Sequence, residues 1–227
     1  LKAWSRSSGK LSAAAEARVA LEILSADLEG AVMQNDGLEW LRSESEPIAG
    51  PSKSSTVALR LFTALRNKPQ NADGSTRQGD IAAVAYDLEY VNPVDGSSMG
   101  EKTFVLYRLE VDPMETFNTL LNPEFRQTLP DKRAKKWGQK NSIKGENGEN
   151  YLVSNIVDFS IDFYVEDDGN QATPTLYYRR SLRNPNRSVI YGGEMATVGP
   201  QATVSHYQNA LSYAEIKLTV LSDEGVS

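Results

Sequence analysis

The chain has 227 residues, 24 Lys plus Arg against 30 Asp plus Glu, a net charge of −6 and 40% hydrophobic residues. That is the composition of one sizeable globular domain, not of a disordered or membrane-spanning chain, and its acidic balance argues against non-specific nucleic-acid binding. The absence of cysteine removes thiol nucleophiles, Cys-ligated zinc and disulfides, and a single histidine, His206, excludes a multi-histidine metal site within one chain.

Residues 1–11 read as a leader. The opening Leu1-Lys2-Ala3-Trp4-Ser5-Arg6 suits either the basic, aromatic flank of a removed hydrophobic segment or a short disordered lead-in. No stretch approaches the ~18–20 apolar residues that span a bilayer, and no charged-then-apolar signal peptide is present. Residues 12–227 read as a single domain. Its first element is a helix over about 12–34. Ala17, Leu21, Leu24, Leu28, Ala31 and Val32 recur every three or four residues on one stripe, and Ala13, Ala14, Ala15, Ala17 and Ala20 favour the helix. Ser12 suits an N-cap, and Asn35-Asp36-Gly37 supplies a stop. A second strip, Val19, Ile23 and Ala26, serves either a partner or ordinary core.

Beyond the helix the apolar period changes to two. Val57, Leu59 and Leu61 mark a strand. Residues 80–91 and 102–111 mark two more, joined by the turn chemistry of Asn92-Pro93-Val94-Asp95-Gly96 and so forming a hairpin. A short helix is expected over Met114–Phe125 and a polar, irregular insertion over Pro130–Asn150. Leu152–Glu166 reads as one long strand, Leu176-Tyr177-Tyr178 starts another, and Leu211–Leu221 closes the chain with Ile216, Leu218 and Val220 in alternation. One long helix followed by antiparallel strands is an α+β arrangement, with the helix lying across a sheet face.

Motifs for covalent chemistry are scarce. There is no G-x-G-x-x-G, no Walker loop and no G-x-S-x-G elbow. Ser205 and His206 are sequence neighbours, which rarely make a triad. Glu166, Asp167 and Asp168 precede Gly169, but the spacing is not that of a calcium loop and suits a strand-ending turn. Two basic runs, Lys132-Arg133 through Lys140 around Trp137, and Arg179, Arg180, Arg183 and Arg187, suit an acidic partner or lipid headgroups, or simply a solvated loop. No catalytic residue, cofactor or metal follows from these residues.

The order of segments resembles the type IV pilin-like proteins. The helix Ala15-Glu16-Ala17-Arg18-Val19-Ala20-Leu21-Glu22-Ile23-Leu24-Ser25-Ala26-Asp27-Leu28-Glu29-Gly30-Ala31, the paired strands Val84–Leu88 and Phe104–Leu109, the strand Leu152–Tyr164 and the terminal strand Ala214–Val220 follow one another as in J-type minor pseudopilins of type II secretion systems and the pilin-like cassette proteins of Verrucomicrobia. The resemblance implies a pilin-like fold whose hydrophobic anchoring helix lies upstream of Leu1. It implies an exported protein, held in the inner membrane before assembly and then placed in the periplasm or at the cell surface. It further implies a structural role without catalysis, with other pilin or pseudopilin subunits as partners and Val19, Ile23 and Ala26 as contacts. The alternative is a secreted binding or adhesion module whose loops, Pro130–Asn150 or Arg179–Arg187, grip a ligand or host molecule.

Overall fold

A computed structural model describes residues 2–33, 40–47, 55–65, 79–121, 143–165, 175–181, 188–191 and 211–222; for 2–10, 44–47, 55–57, 147, 165, 175–181 and 188–191 it describes the backbone alone. Helix α1 spans Lys2–Glu29. It is followed by strands β1 (Leu41–Pro47), β2 (Ser55–Ala64), β3 (Ile81–Val91), β4 (Thr103–Val111), β5 (Tyr151–Val153), β6 (Ile156–Val165), β7 (Thr175–Ser181), β8 (Ser188–Tyr191) and β9 (Leu211–Val220). The larger sheet has the order β5-β4-β3-β2-β1-β8 and the smaller β7-β6-β9, and all their pairings are antiparallel. The class is α+β.

The helix bounds differ from the sequence reading at both ends. Residues 2–11, read as a leader, are helical, and Ser12 is an interior residue whose hydroxyl donates to Glu16 rather than an N-cap. Once the alanine-rich turns have nucleated, extending a helix costs little per residue, so the Ser- and Gly-containing segment before them continues it. At the other end the helix stops after Glu29, short of Asn35–Gly37, which lie outside the described residues. Gly30 N–H still donates to the Ala26 carbonyl at 3.0 Å, but Val32 N–H donates to Phe62 O at 2.9 Å and Ala64 N–H to Gly30 O at 2.8 Å. The chain leaving the helix thus lies along β2 just beyond the end of β1.

Gly30 permits this contact. A Cβ there would sit 2.6 Å from Thr63 Oγ1 and 2.9 Å from the Ala64 carbonyl oxygen. Gly30→Ala is therefore expected to destabilise the fold by about 1–3 kcal/mol, the usual cost of overpacking. A lowered urea midpoint checks it; an unchanged midpoint would mean the junction has room.

The core is one cluster contributed by the helix and both sheets. It joins Ala20 and Leu24 of α1 to Leu59, Leu61, Val84, Tyr86, Leu88 and Leu106 of the larger sheet and to Phe159, Ile161 and Phe163 of β6. β3 is buried from Ala82 through Leu88 without alternation, as expected of a strand covered on both faces.

Three strand readings change. Leu152–Glu166 is not one strand. Asn155 takes φ 57°, a left-handed conformation that asparagine tolerates, and the ladder breaks there: β5 belongs to the larger sheet and β6 to the smaller. β1 carries Arg42, Ser43, Glu44 and Ser45 and lacks an apolar alternation, yet it is held between β2 and β8. Arg179 and Arg180, read as part of a loop, lie in β7 opposite Asp162 and Ile161. The short helix expected from Met114 is one helical turn, Pro113–Glu115, followed by a π-helical turn, Thr116–Leu120. The insertion reading falls outside the described residues up to 142.

Candidate functional site

The site begins with how α1 is seated. Ala20 and Leu24 are buried, and Asp27 lies one further turn along the same face, also buried. Tyr86 of β3 donates its hydroxyl hydrogen bond to Asp27 Oδ2. Arg108 of β4 donates twice to the same carboxylate, Nε to Oδ2 at 2.8 Å and Nη2 to Oδ1 at 3.1 Å. Its Nη2 also reaches Glu110 Oε2 at 2.9 Å. β3 and β4 pair with Tyr86 directly opposite Arg108, so the two donors stand side by side beneath the helix. A bidentate Arg–carboxylate pair fixes orientation as well as distance, so the clamp sets the rotation of α1 about its own axis.

The electrostatics follow from burial. Desolvation and the adjacent Asp27 charge push the Tyr86 hydroxyl far above its ordinary pKa, so it stays protonated and donating. Burial works against the charge on Arg108, but its hydrogen bond to Asp27 and the acidic surroundings outweigh that and hold it ionised. A second tie lies further up the helix. The Tyr151 hydroxyl is 3.3 Å from Glu16 Oε2 and 3.0 Å from Ser154 Oγ, joining α1 to the point where the chain passes between the sheets.

With its inner face fixed, the outward face of α1 is defined. Leu11 is 71% exposed and Val19 53%. Ile23 and Ala26 are half-buried, so the strip expected from the sequence does not form a free surface along its whole length; its exposed member is Val19. Burial along the helix is graded. Between Leu11 and Val19 only Ala13 and Ala17 are even half-buried, and the first fully buried residue is Ala20. A shallow hollow runs along one flank, bordered by Ala14, Ala17, Leu21 and Ser25 and by the charged Arg18, Glu22 and Glu29. The exposed pair Arg18 and Glu22, 2.8 Å apart, stiffens that surface slightly.

His206, Glu166, Asp167, Asp168, the Lys132–Lys140 run, Arg183 and Arg187 lie outside the described residues. Among the described residues no three acidic or histidine side chains come together, and no helix is long and apolar enough to cross a membrane. The residues that pattern reading missed are Tyr86 and Arg108, and the role of Asp27. The available signal was a carboxylate on the buried stripe, three residues after Leu24 and seven after Ala20. A buried acid requires a partner, although its place in the sequence does not name one. Comparison with protein-family models, curated proteins and solved structures gives no match.

Proposed function

We propose that this protein is a structural subunit of a type IV pilus-like or type II secretion pseudopilus filament, assembling through α1. The observation that carries the proposal is a 28-residue helix whose buried residues Ala20, Leu24 and Asp27 seat its C-terminal part, while from Leu11 to Val19 it is largely exposed. A helix that served only its own core would keep a fully buried stripe along its length, whereas Ala13 and Ala17, in line with Ala20, are only half-buried. Here the same helix exposes the apolar residues Leu11 and Val19 and, separately, carries a shallow hollow lined by Ala14, Ala17, Leu21 and Ser25 together with Arg18, Glu22 and Glu29, so it offers both apolar and charged groups to a neighbouring helix. The proposal includes export, an inner-membrane anchor upstream of Leu1 before assembly, other pilin-like subunits as partners, and no catalytic step.

Val19→Asp tests it. Val19 is 53% exposed, so the monomer's melting temperature is expected to stay within a few degrees. Recovery of the protein in sheared filament or membrane-complex fractions is expected to fall at least tenfold. Equal recovery of variant and wild type, with melting unchanged, would remove the helix from assembly.

One observation favours the binding-module reading. The β3–β4 turn exposes Val94 at 89% and Met99 at 72% on a loop held by its own hydrogen bonds. Val94 N–H donates to Asn92 Oδ1 at 2.9 Å, Ser97 N–H to Asp95 Oδ1 at 2.8 Å, and Lys144 reaches in to the Gly96 carbonyl. Such a preordered loop loses little entropy on binding. Retained assembly in Val19→Asp, together with ligand or surface binding abolished by Val94→Asp and Met99→Asp, would favour that reading.

A further inference from the structure

β9 forms one border of the smaller sheet, and among the described residues β6 is its only strand neighbour. Its pairing with β6 is regular from Tyr213 to Thr219, between a register shift beside Ser212 and another at Ile156/Asp158. Within that stretch Tyr213, Glu215, Lys217 and Thr219 are exposed on one face, while Ala214, Ile216 and Leu218 are only half-buried on the other. A long, regular border strand with half-covered apolar residues is a template for another strand.

The sequence of this stretch is self-complementary. If two copies run antiparallel about Ile216, Ile216 meets itself across a two-fold axis. Glu215 then stands opposite Lys217, and Lys217 opposite Glu215, so both charge pairs are of opposite sign. Ala214 stands opposite Leu218, small against large, on the apolar face. Ala214 and Ile216 also line a groove of about 320 Å³ between β9 and Leu28 of α1 and Met33 just after it, which gives the second copy's Leu218 a place to enter. Both charged side chains are already held in place from within the chain. Lys217 is 2.7 Å from Asp158, and Glu215 accepts from the Tyr164 hydroxyl at 3.1 Å. Each keeps spare hydrogen-bonding capacity, since an ammonium has three donors and a carboxylate about four acceptor sites.

We propose that β9 is a homotypic pairing edge, joining two copies of this chain into one continuous six-stranded antiparallel sheet through Tyr213–Thr219 in the register centred on Ile216. The paired edge, Tyr213–Thr219, does not include Leu11 or Val19 of α1, so the proposal is tested separately from the filament reading, although its groove shares Ser25 and Glu29 with the hollow on that helix.

The chain contains no cysteine, which makes introduced thiols unambiguous probes. Ile216→Cys places two thiols on the two-fold axis, with Cα atoms about 4.5–5.5 Å apart, within disulfide reach. Thr219→Cys places its two thiols about 20 Å apart at the strand rise of roughly 3.4 Å per residue. Under mild oxidation the purified protein is expected to give a covalent dimer with Ile216→Cys and none with Thr219→Cys. In sedimentation equilibrium, Lys217→Glu and Glu215→Lys, each of which sets like charges opposite each other on both sides of the axis, are expected to weaken dimerisation at least tenfold. The double exchange Glu215→Lys with Lys217→Glu is expected to restore it. Circular dichroism melts establish that each variant is folded. A wild-type chain that stays monomeric at its highest soluble concentration, crosslinking at Thr219→Cys but not Ile216→Cys, or single charge reversals without effect in folded protein would overturn the proposal. Pairing of the same edge with a strand from a different protein would appear as the first of these results.

Discussion

Replacing Asp27 with alanine is expected to be the most damaging single substitution at the helix–sheet junction, lowering stability by about 3–5 kcal/mol. The loss comes less from the ion pair than from what remains. Arg108 would keep its charge with 18% of its side chain exposed, and Tyr86 would keep a buried hydroxyl without its acceptor. Urea denaturation measures this directly as a drop in midpoint. A second variant separates the clamp from general packing. Removing both charges with Asp27→Leu and Arg108→Leu leaves no uncompensated buried ion, since Glu110, which also loses Arg108, is 41% exposed, and its cost is expected to be smaller than that of Asp27→Ala alone. If the double variant is the worse of the two, the polar clamp contributes more than apolar packing at that place could supply.

Loss of the fold in alkali is the second large effect. Tyr107 is buried in β4, and burial followed by the neighbouring Glu89 charge pushes its pKa up to about 12 from an ordinary 10.0. Tyr86 is pushed higher still by burial and Asp27. Both folded pKa values lie above the unfolded one, so each contribution is fully present below about pH 10 and is lost as pH rises through the folded pKa. Tyr107 supplies part of this pH dependence, in the direction just given. Stability is therefore expected to fall between about pH 10 and pH 12, with phenolate absorbance rising in step with unfolding. Tyr107→Phe is expected to flatten the slope over that interval. A flat stability profile through pH 12 in the wild-type chain would show that neither hydroxyl is held out of water.

The parts of this fold visible in the sequence are those with a strong local period. The alanine-rich helix, the alternating stretches at β2 and β9 and the β3–β4 hairpin with its Asn-Pro-Val-Asp-Gly turn all carry their own signal. β1 does not, because Arg42 through Glu46 become a strand through the two neighbours that bind them, and a pairing partner leaves no mark on the strand's own composition. The break at Asn155 was hidden for a related reason: Val153, Ile156 and Val157 read as one apolar run, while the event that divides them is a single left-handed residue. At the candidate site, the helix face followed from spacing, but its exposure did not. Ile23 and Ala26 are half-covered because the clamp from Asp27 to Tyr86 and Arg108 fixes how far the helix is rotated, and that clamp joins residues 59 and 81 positions apart.

Cysteine crosslinking in the cells that make this protein tests the assembly role of α1 most directly, because the chain has no cysteine of its own. Leu11→Cys and Val19→Cys carry the probe on the outward helix face, and Val94→Cys carries an equally accessible probe on the β3–β4 turn. The filament reading predicts a covalent dimer, the largest product that one thiol per chain allows, from each of the two helix positions and monomer from Val94→Cys. Monomer from both helix positions, with the protein folded and exported, would contradict it.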